Sequence, residues 1–255
     1  MVNTGDKYVT RNYRSCHAAK DLRYFNVIVK ETDLAIGVDK ESYTDSLLSV
    51  CKHQVIKLRG DLETYITLQP EFRASFFPVK LLPGAPLIAK VMAEAAEKTG
   101  VGPMAAVAGA IAQAVGEKLI GKVQEIIVEN GGDIYINSSC PRIISVFAGE
   151  SRFSNRIGIR LGENEGPSGV CTSSGTVGPS ISLGKADAVL IKADSAALAD
   201  AAASRAANQV QTETDLMKAI ESVQNIKGIR GVLAIKGDKM AAWGDIELVP
   251  VEVKI

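Results

Sequence analysis

Glu125-Ile-Ile-Val-Glu-Asn-Gly-Gly-Asp-Ile-Tyr-Ile-Asn137 sets two runs of strand-forming residues on either side of Asn130-Gly131-Gly132. Glu125 to Val128 reads as a buried strand, and Asp133 to Ile136 resumes as a second one. Asn and Gly supply the positive φ that a tight hairpin needs, so the two runs are expected to be antiparallel neighbours. The same residues admit another reading, a strand end at which a ligand approaches bare backbone.

Outward from this stretch, strands and helices come in blocks. Tyr8 to Tyr13, Tyr24 to Val29 and Ile36-Gly37-Val38 read as strands, with a turn at Thr32-Asp33. From Ser42 to Leu68 the residues Leu47, Cys51, Val55, Leu58, Leu62 and Ile66 recur at helical spacing, and Pro70 ends the run. Cys51 on that stripe reads as a buried small hydrophobe, and His53 as solvated. A second helix is expected over Ala85–Lys98, stopped by Gly100, and a third from Pro103 to Leu119. That third helix is rich in Ala and Gly on all sides, which permits close packing or ligand contact with its backbone.

Beyond the opening stretch, Ile143–Phe147, Ile157–Leu161 and Ala188–Ile191 read as strands. Gly162–Ser168 reads as a polar loop and Val170–Ser182 as an uncharged Gly/Ser/Thr stretch. Ser195 caps an Ala-rich helix to Val210, Thr212–Val223 reads as another helix, and Ile229–Ile235 and Ile246–Val253 close the chain as strands. Blocks rather than strict alternation predict an α+β fold over a single domain 1–255, with pseudo-repeat halves near 1–120 and 121–255.

Composition narrows the function classes. In 255 residues, 29 Lys and Arg balance 29 Asp and Glu, which argues against a general nucleic-acid or membrane-surface binder. Hydrophobic residues make up 46% and aromatics only 5%, so Ala, Val, Leu and Ile must fill the core. The N-terminus lacks a signal-like apolar run, and the best membrane candidate, Val101–Gly116, is short of the roughly 20 residues a span needs and is interrupted by Pro103, Gln113 and glycines. A cytoplasmic protein with reduced thiols is expected, since the four cysteines show no C-x-x-C or zinc spacing.

Three segments offer chemistry: Val101–Ala112, Glu129–Asp133, and Cys171–Ser180 with Ala199–Ser204. The hydroxyls and N–H groups of Cys171-Thr-Ser-Ser-Gly-Thr176 suit an anion, a phosphate or an amide edge, or else form a plain surface loop. Asp200 and Ser204 share a helix face and are hard oxygen donors suited to magnesium or calcium; a solvated polar pair is the alternative. Cys171, in a glycine-rich segment, is the candidate nucleophile or sulfur carrier if backbone N–H groups lower its pKa. With His17 and His53 as its only histidines, the chain has little material for imidazole base catalysis.

VGPMAAVAGAIA (101–112), ENGGDIYI (129–136), GVCTSSGTVG (169–178), GKADAVLI (184–191) and ALADAAASRAANQV (197–210) together resemble an uncharacterised protein family of the ApbE-like superfamily, over roughly residues 8 to 250. Thr32-Asp33-Leu34 and Pro70-Glu71-Phe72 fit as well. The resemblance implies a T-fold-related α+β architecture of duplicated strand–helix blocks with mostly antiparallel sheets. Its distant relatives, the flavin transferases, use magnesium to move FMN from FAD onto a protein threonine.

Carried over by motif, Gly131-Gly132-Asp133 resembles their GGD element, and Thr172-Ser173-Ser174-Gly175 their STSG-like element. Ala199-Asp200 through Ser204 resembles their A-D-x-x-x-T metal element, with Ser keeping the oxygen donor. Gly109-Ala110-Ile111-Ala112 resembles the helix segment that offers a main-chain carbonyl to the metal. There the acidic position is apolar, around Val107, the lysine position is Gln113, and Gly178-Pro179-Ser180 lacks the expected histidine. These departures speak against FAD or FMN transfer. What is implied is a pocket for a small, phosphate-bearing molecule lined by Met104, Ala110, Asn130, Gly131, Gly132, Asp133 and Thr172 to Thr176, with magnesium on Asp200 and Ser204. The alternatives are a non-catalytic binding protein or sulfur handling by Cys171. A homodimer is compatible with the Ala/Gly-rich chain and its strand edges.

Overall fold

A computed structural model of the chain describes residues 19, 21–175 and 183–251. The opening stretch forms β3 (Ile126–Asn130) and β4 (Asp133–Asn137), antiparallel, with Asn130 opposite Asp133. Gly131 and Gly132 make the two-residue turn with φ of 70° and 106°, left-handed values that cost a side chain more than a glycine. The Glu129 carboxylate accepts the Gly132 N–H at 3.0 Å, which ties the turn to its own strand.

Around this hairpin the sheet grows on both sides. β1 (Leu22–Val29) pairs with β2 (Thr32–Asp39), and β2 with β3. The turn falls at Lys30-Glu31, with Lys30 at φ 52°, so Thr32 and Asp33 begin β2 and are not the turn expected of them. On the other side β4 pairs with β7 (Ser168–Ser173), then come β8 (Ala188–Ala193), β9 (Ile229–Lys236) and β10 (Lys239–Gly244). The order β1-β2-β3-β4-β7-β8-β9-β10 is an eight-stranded sheet whose every pairing is antiparallel. A three-stranded antiparallel sheet, β5 (Arg142–Ser145), β6 (Ile157–Leu161) and β11 (Glu247–Pro250), lies apart from it.

Side-chain alternation sends the large sheet into two cores. Tyr135, Cys171, Val189, Ile191 and Val232 join the helices in one cluster. Ile136, Val170, Leu190 and Leu233 join Ile159 and Leu161 of the small sheet in the other. The layers are therefore helices, large sheet and small sheet. β8 is buried along its whole length because it is covered on both faces, which explains its unbroken Ala-Val-Leu-Ile run.

The helices are α1 (Ser46–Leu68), α2 (Glu71–Ala74), α3 (Leu87–Thr99), α4 (Val107–Leu119), α5 (Ala196–Asn208) and α6 (Leu216–Glu221). α1 buries Leu47, Cys51, Val55, Leu58 and Leu62 as its stripe predicts, and His53 is exposed. At its end Tyr65 is buried and Ile66 only half so, because the Tyr65 ring packs edge-on against Phe72, 5.3 Å between centroids. Gly100 caps α3 in the left-handed conformation, and the Ser195 side chain accepts the Leu198 N–H at the start of α5.

The expected third helix divides into a 3₁₀ turn, Pro103–Ala106, and α4. The expected helix 212–223 divides into a 3₁₀ turn, Glu213–Asp215, closed by a Thr212/Asp215 capping box, and α6. Among the described residues no single helix is long and apolar enough to cross a membrane. The strand expected over Tyr8–Tyr13 lies outside the described residues.

Candidate functional site

α5 runs along β7, and this placement assembles the site. A methyl on Gly169 would collide with the Ala196 backbone, and one on Gly109 with the Ala196 carbonyl oxygen and the Asp200 Cβ. The two glycines are thus close-approach points that let β7, α4 and α5 meet, as the small residues of Val101–Ala112 suggested. At that meeting the Asp200 carboxylate accepts the Gly109 N–H at 2.9 Å. Asn130, buried at the end of β3, donates from Nδ2 to the Ala108 carbonyl at 3.1 Å and fixes the same turn of α4. Gln113 accepts the Ala197 N–H at 3.3 Å and donates to Glu117 at 2.8 Å, clamping the start of α5.

Asp133 stands opposite Cys171 across the β4–β7 pairing, on the helix side of the sheet. Burial first, and then the Asp133 charge, push the Asp200 carboxyl well above the usual carboxylate range, while the Gly109 and Ala108 N–H groups pull the other way. Among the described residues no Lys or Arg forms an ion pair with Asp200. Asp200 thus sits in a poorly hydrated place within reach of the Asp133 charge, with backbone N–H groups as its compensation.

Cys171 corrects an expectation. It lies not in a glycine loop but in the middle of β7, fully buried, where Sγ donates to the Ala196 carbonyl at 3.3 Å. Burial, then Asp133 and Asp200, push its thiol well above the ordinary value, the reverse of the lowered pKa a nucleophile needs. The Val170–Ser182 stretch likewise begins as strand, because residues 168 to 173 are buried between β4 and β8.

The remaining candidates divide. Ala110 is buried in α4, Met104 half-buried on the preceding turn, and Ser204 half-buried one turn beyond Asp200. Ser173 follows Cys171 on the helix side of β7, whereas Thr172 takes the side of Val170, towards the small sheet. Ser174 and Gly175 both reach back to the Ala186 carbonyl, at 3.5 and 2.9 Å. Gly131 and Gly132 form the hairpin tip, with Gly131 exposed. Thr176 lies outside the described residues. Gln113 and the Asp200-to-Gly109 link were not identified from sequence; Gly109 between helix-forming alanines was the one available signal.

A magnesium site is testable on the donors present. Among the described residues no three His, Cys, Asp or Glu side chains gather to hold a metal. Asp200, Asp133 and the Ser204 hydroxyl are nevertheless hard oxygens, and magnesium is commonly held by one or two carboxylates with waters and ligand phosphates. The donor chemistry fits such an ion.

This layered arrangement defines the class: it is the fold of the ApbE proteins. The ApbE protein of Thermotoga maritima superposes with a TM-score of 0.56 at 14% identity, covering 86% of this chain and 96% of that one. The flavinyl transferase ApbE of Pseudomonas stutzeri does so with a TM-score of 0.54 at 14% identity, covering 88% and 94%. The chain belongs to the family described as AbpE bacteria, which matches residues 14–228. Among its relatives, the UPF0280 protein of Methanocaldococcus jannaschii is 40% identical over 235 residues, 90% of this chain and 94% of the relative. That of Methanopyrus kandleri is 40% identical over 227 residues, 86% and 89% respectively.

Proposed function

We propose that the protein binds a small phosphate-bearing molecule, a nucleotide or flavin, with magnesium at Asp200, and that it does not carry out the flavin transfer of its distant relatives. The observation that carries this reading is the Asp200 carboxylate on the Gly109 N–H at the first turn of α4, on the helix side of the sheet where Asp133 ends its hairpin. A cation relieves the repulsion of the two carboxyls, and its bound water or phosphate oxygens complete the coordination. When bound, magnesium would neutralise phosphate charge. Asp200 holds the ion and the α4 turn together, Ser204 adds an oxygen, and Asn130 and Gln113 keep α4 and α5 in place.

The apolar Val107, the neutral Gln113 and the stretch Gly178-Pro179-Ser180 support loss of transfer. Gln113 is engaged with the Ala197 N–H, a task that needs no positive charge. Native mass spectrometry of the purified protein against flavins and nucleotides, with and without magnesium, tests the reading. Magnesium-dependent retention, lost in Asp200→Asn and kept in Ser204→Thr, is expected. Failure to retain any of these ligands would sink it. Release of FMN from FAD onto a protein acceptor would overturn the second half of the proposal.

A further inference from the structure

β10 is one margin of the eight-stranded sheet, so among the described residues one side of its backbone has no neighbouring strand in that sheet. Proteins blunt such edges with charge, proline, bulges or cover. β11 of the small sheet does so, beginning with Glu247 and ending with Pro250. β10 does not. After Lys239 it reads Met-Ala-Ala-Trp-Gly, and it pairs with β9 from Lys239 to Gly244 in unbroken register. Met240 is 36% exposed, and Trp243, the chain's single tryptophan, 37%. Beside the edge, Leu216, Met217, Met240 and Ala241 line a shallow groove whose rim carries Arg152, Glu213, Asp238 and Lys239.

We propose that β10 is the contact strand of a homodimer, pairing antiparallel with β10 of a second copy so that two sheets become one. Antiparallel self-pairing about a two-fold axis normal to the sheet sets one residue at the axis, facing its own symmetry mate, and Ala241 and Ala242 are the central ones. With Ala241 on the axis, Lys239 stands opposite Trp243 of the partner subunit, where an ammonium over an indole is favourable. With Ala242 on the axis, Lys239, which pairs with Glu213 at 3.4 Å within its own copy, stands opposite Asp245 of the partner subunit, an opposite charge that within one copy holds Lys192 at 2.7 Å. In both registers the one cation of the strand avoids its symmetry mate. Met240 then faces Ala242 or Gly244 of the partner subunit, small residues that leave room for its thioether.

Sedimentation and light scattering over a rising concentration series test the proposal. A monomer–dimer equilibrium is expected, with a blue shift of Trp243 emission at the same midpoint. Ala242→Lys, on an exposed residue, should leave a folded monomer, whereas Ile28→Lys on β1 should leave the dimer intact. A monomer at all concentrations overturns the proposal, as does a dimer that Ala242→Lys leaves unchanged. Should that variant fail to fold, hydrogen exchange of the wild-type chain decides. Protection of β10 amides must rise with concentration while that of β1 does not, and the converse overturns it.

Discussion

The carboxylate of Asp200 accepts the main-chain N–H of Gly109 at 2.9 Å, closing 91 residues of chain into one contact. α4 has no side-chain cap of its own, since Ala106 stands at its cap position. Asp200 takes that office from a different helix, and its charge lies where the helix dipole favours an anion. The same residue is the proposed magnesium ligand, so that proposal ties ligand binding to the fold through one side chain.

This double duty has a pH signature. The folded state raises the Asp200 pKa above its unfolded value, so it binds the proton more tightly than the unfolded chain does. The group's contribution to stability is therefore fully present below about pH 3.9, the unfolded value, and is lost as pH rises through the folded pKa. Asp200→Asn keeps an acceptor for Gly109 and removes the titration. Its stability relative to wild type should climb from acid to neutral pH, and magnesium should narrow the gap by stabilising wild type alone. Thermal melts of both proteins across that range check it; parallel pH profiles would refute it. Asp200→Ala, which removes the cap as well, should forfeit about 1 kcal/mol of that gain.

Gly109→Ala should destabilise by about 1–3 kcal/mol, because its methyl meets the Ala196 carbonyl in a packed contact. Gly60→Ala, on an open face of α1 with nothing within 4 Å, should instead stabilise by about 1 kcal/mol. Denaturant titration of the two variants separates glycine as a spacer from glycine as a weak helix former. Equal effects would mean that α4 and α5 do not approach as described.

Thiol chemistry distinguishes a structural from a reactive Cys171. Alkylation of the native protein followed by peptide mapping should modify exposed Cys140 and spare Cys171 and Cys51. The Cys51 thiol is pushed up to about 11 by burial, and Cys171 is raised too. Rapid modification of Cys171 in the folded state would restore the sulfur-handling reading.

Tyr135 is buried with a hydroxyl that finds no hydrogen-bond partner among the described residues, and burial raises its pKa to about 12. Tyr135→Phe removes an unpaid polar group and keeps the ring that packs on Gly116. A gain of about 1 kcal/mol in the unfolding free energy is expected; a loss would mean that the hydroxyl has a partner, such as ordered water.

Features set by local period and turn chemistry were legible along the chain. The α1 stripe, the positive-φ hairpin at Gly131-Gly132, the Ser195 cap and the Gly100 stop follow from neighbours a few residues apart, and the family motifs are likewise read along the chain. β10 escaped notice because most of it is exposed, which leaves no alternation of apolar and polar residues to read. Tertiary structure alone decided which side of β7 each side chain takes, and so placed Cys171 in the core and turned Thr172 away from Ser173. It also brought Asp200 to Gly109, and Gln113 to Ala197. The physical reason is that burial, charge coupling and the satisfaction of backbone donors depend on groups far apart in sequence, and no periodicity records which distant carboxylate will meet an uncapped helix.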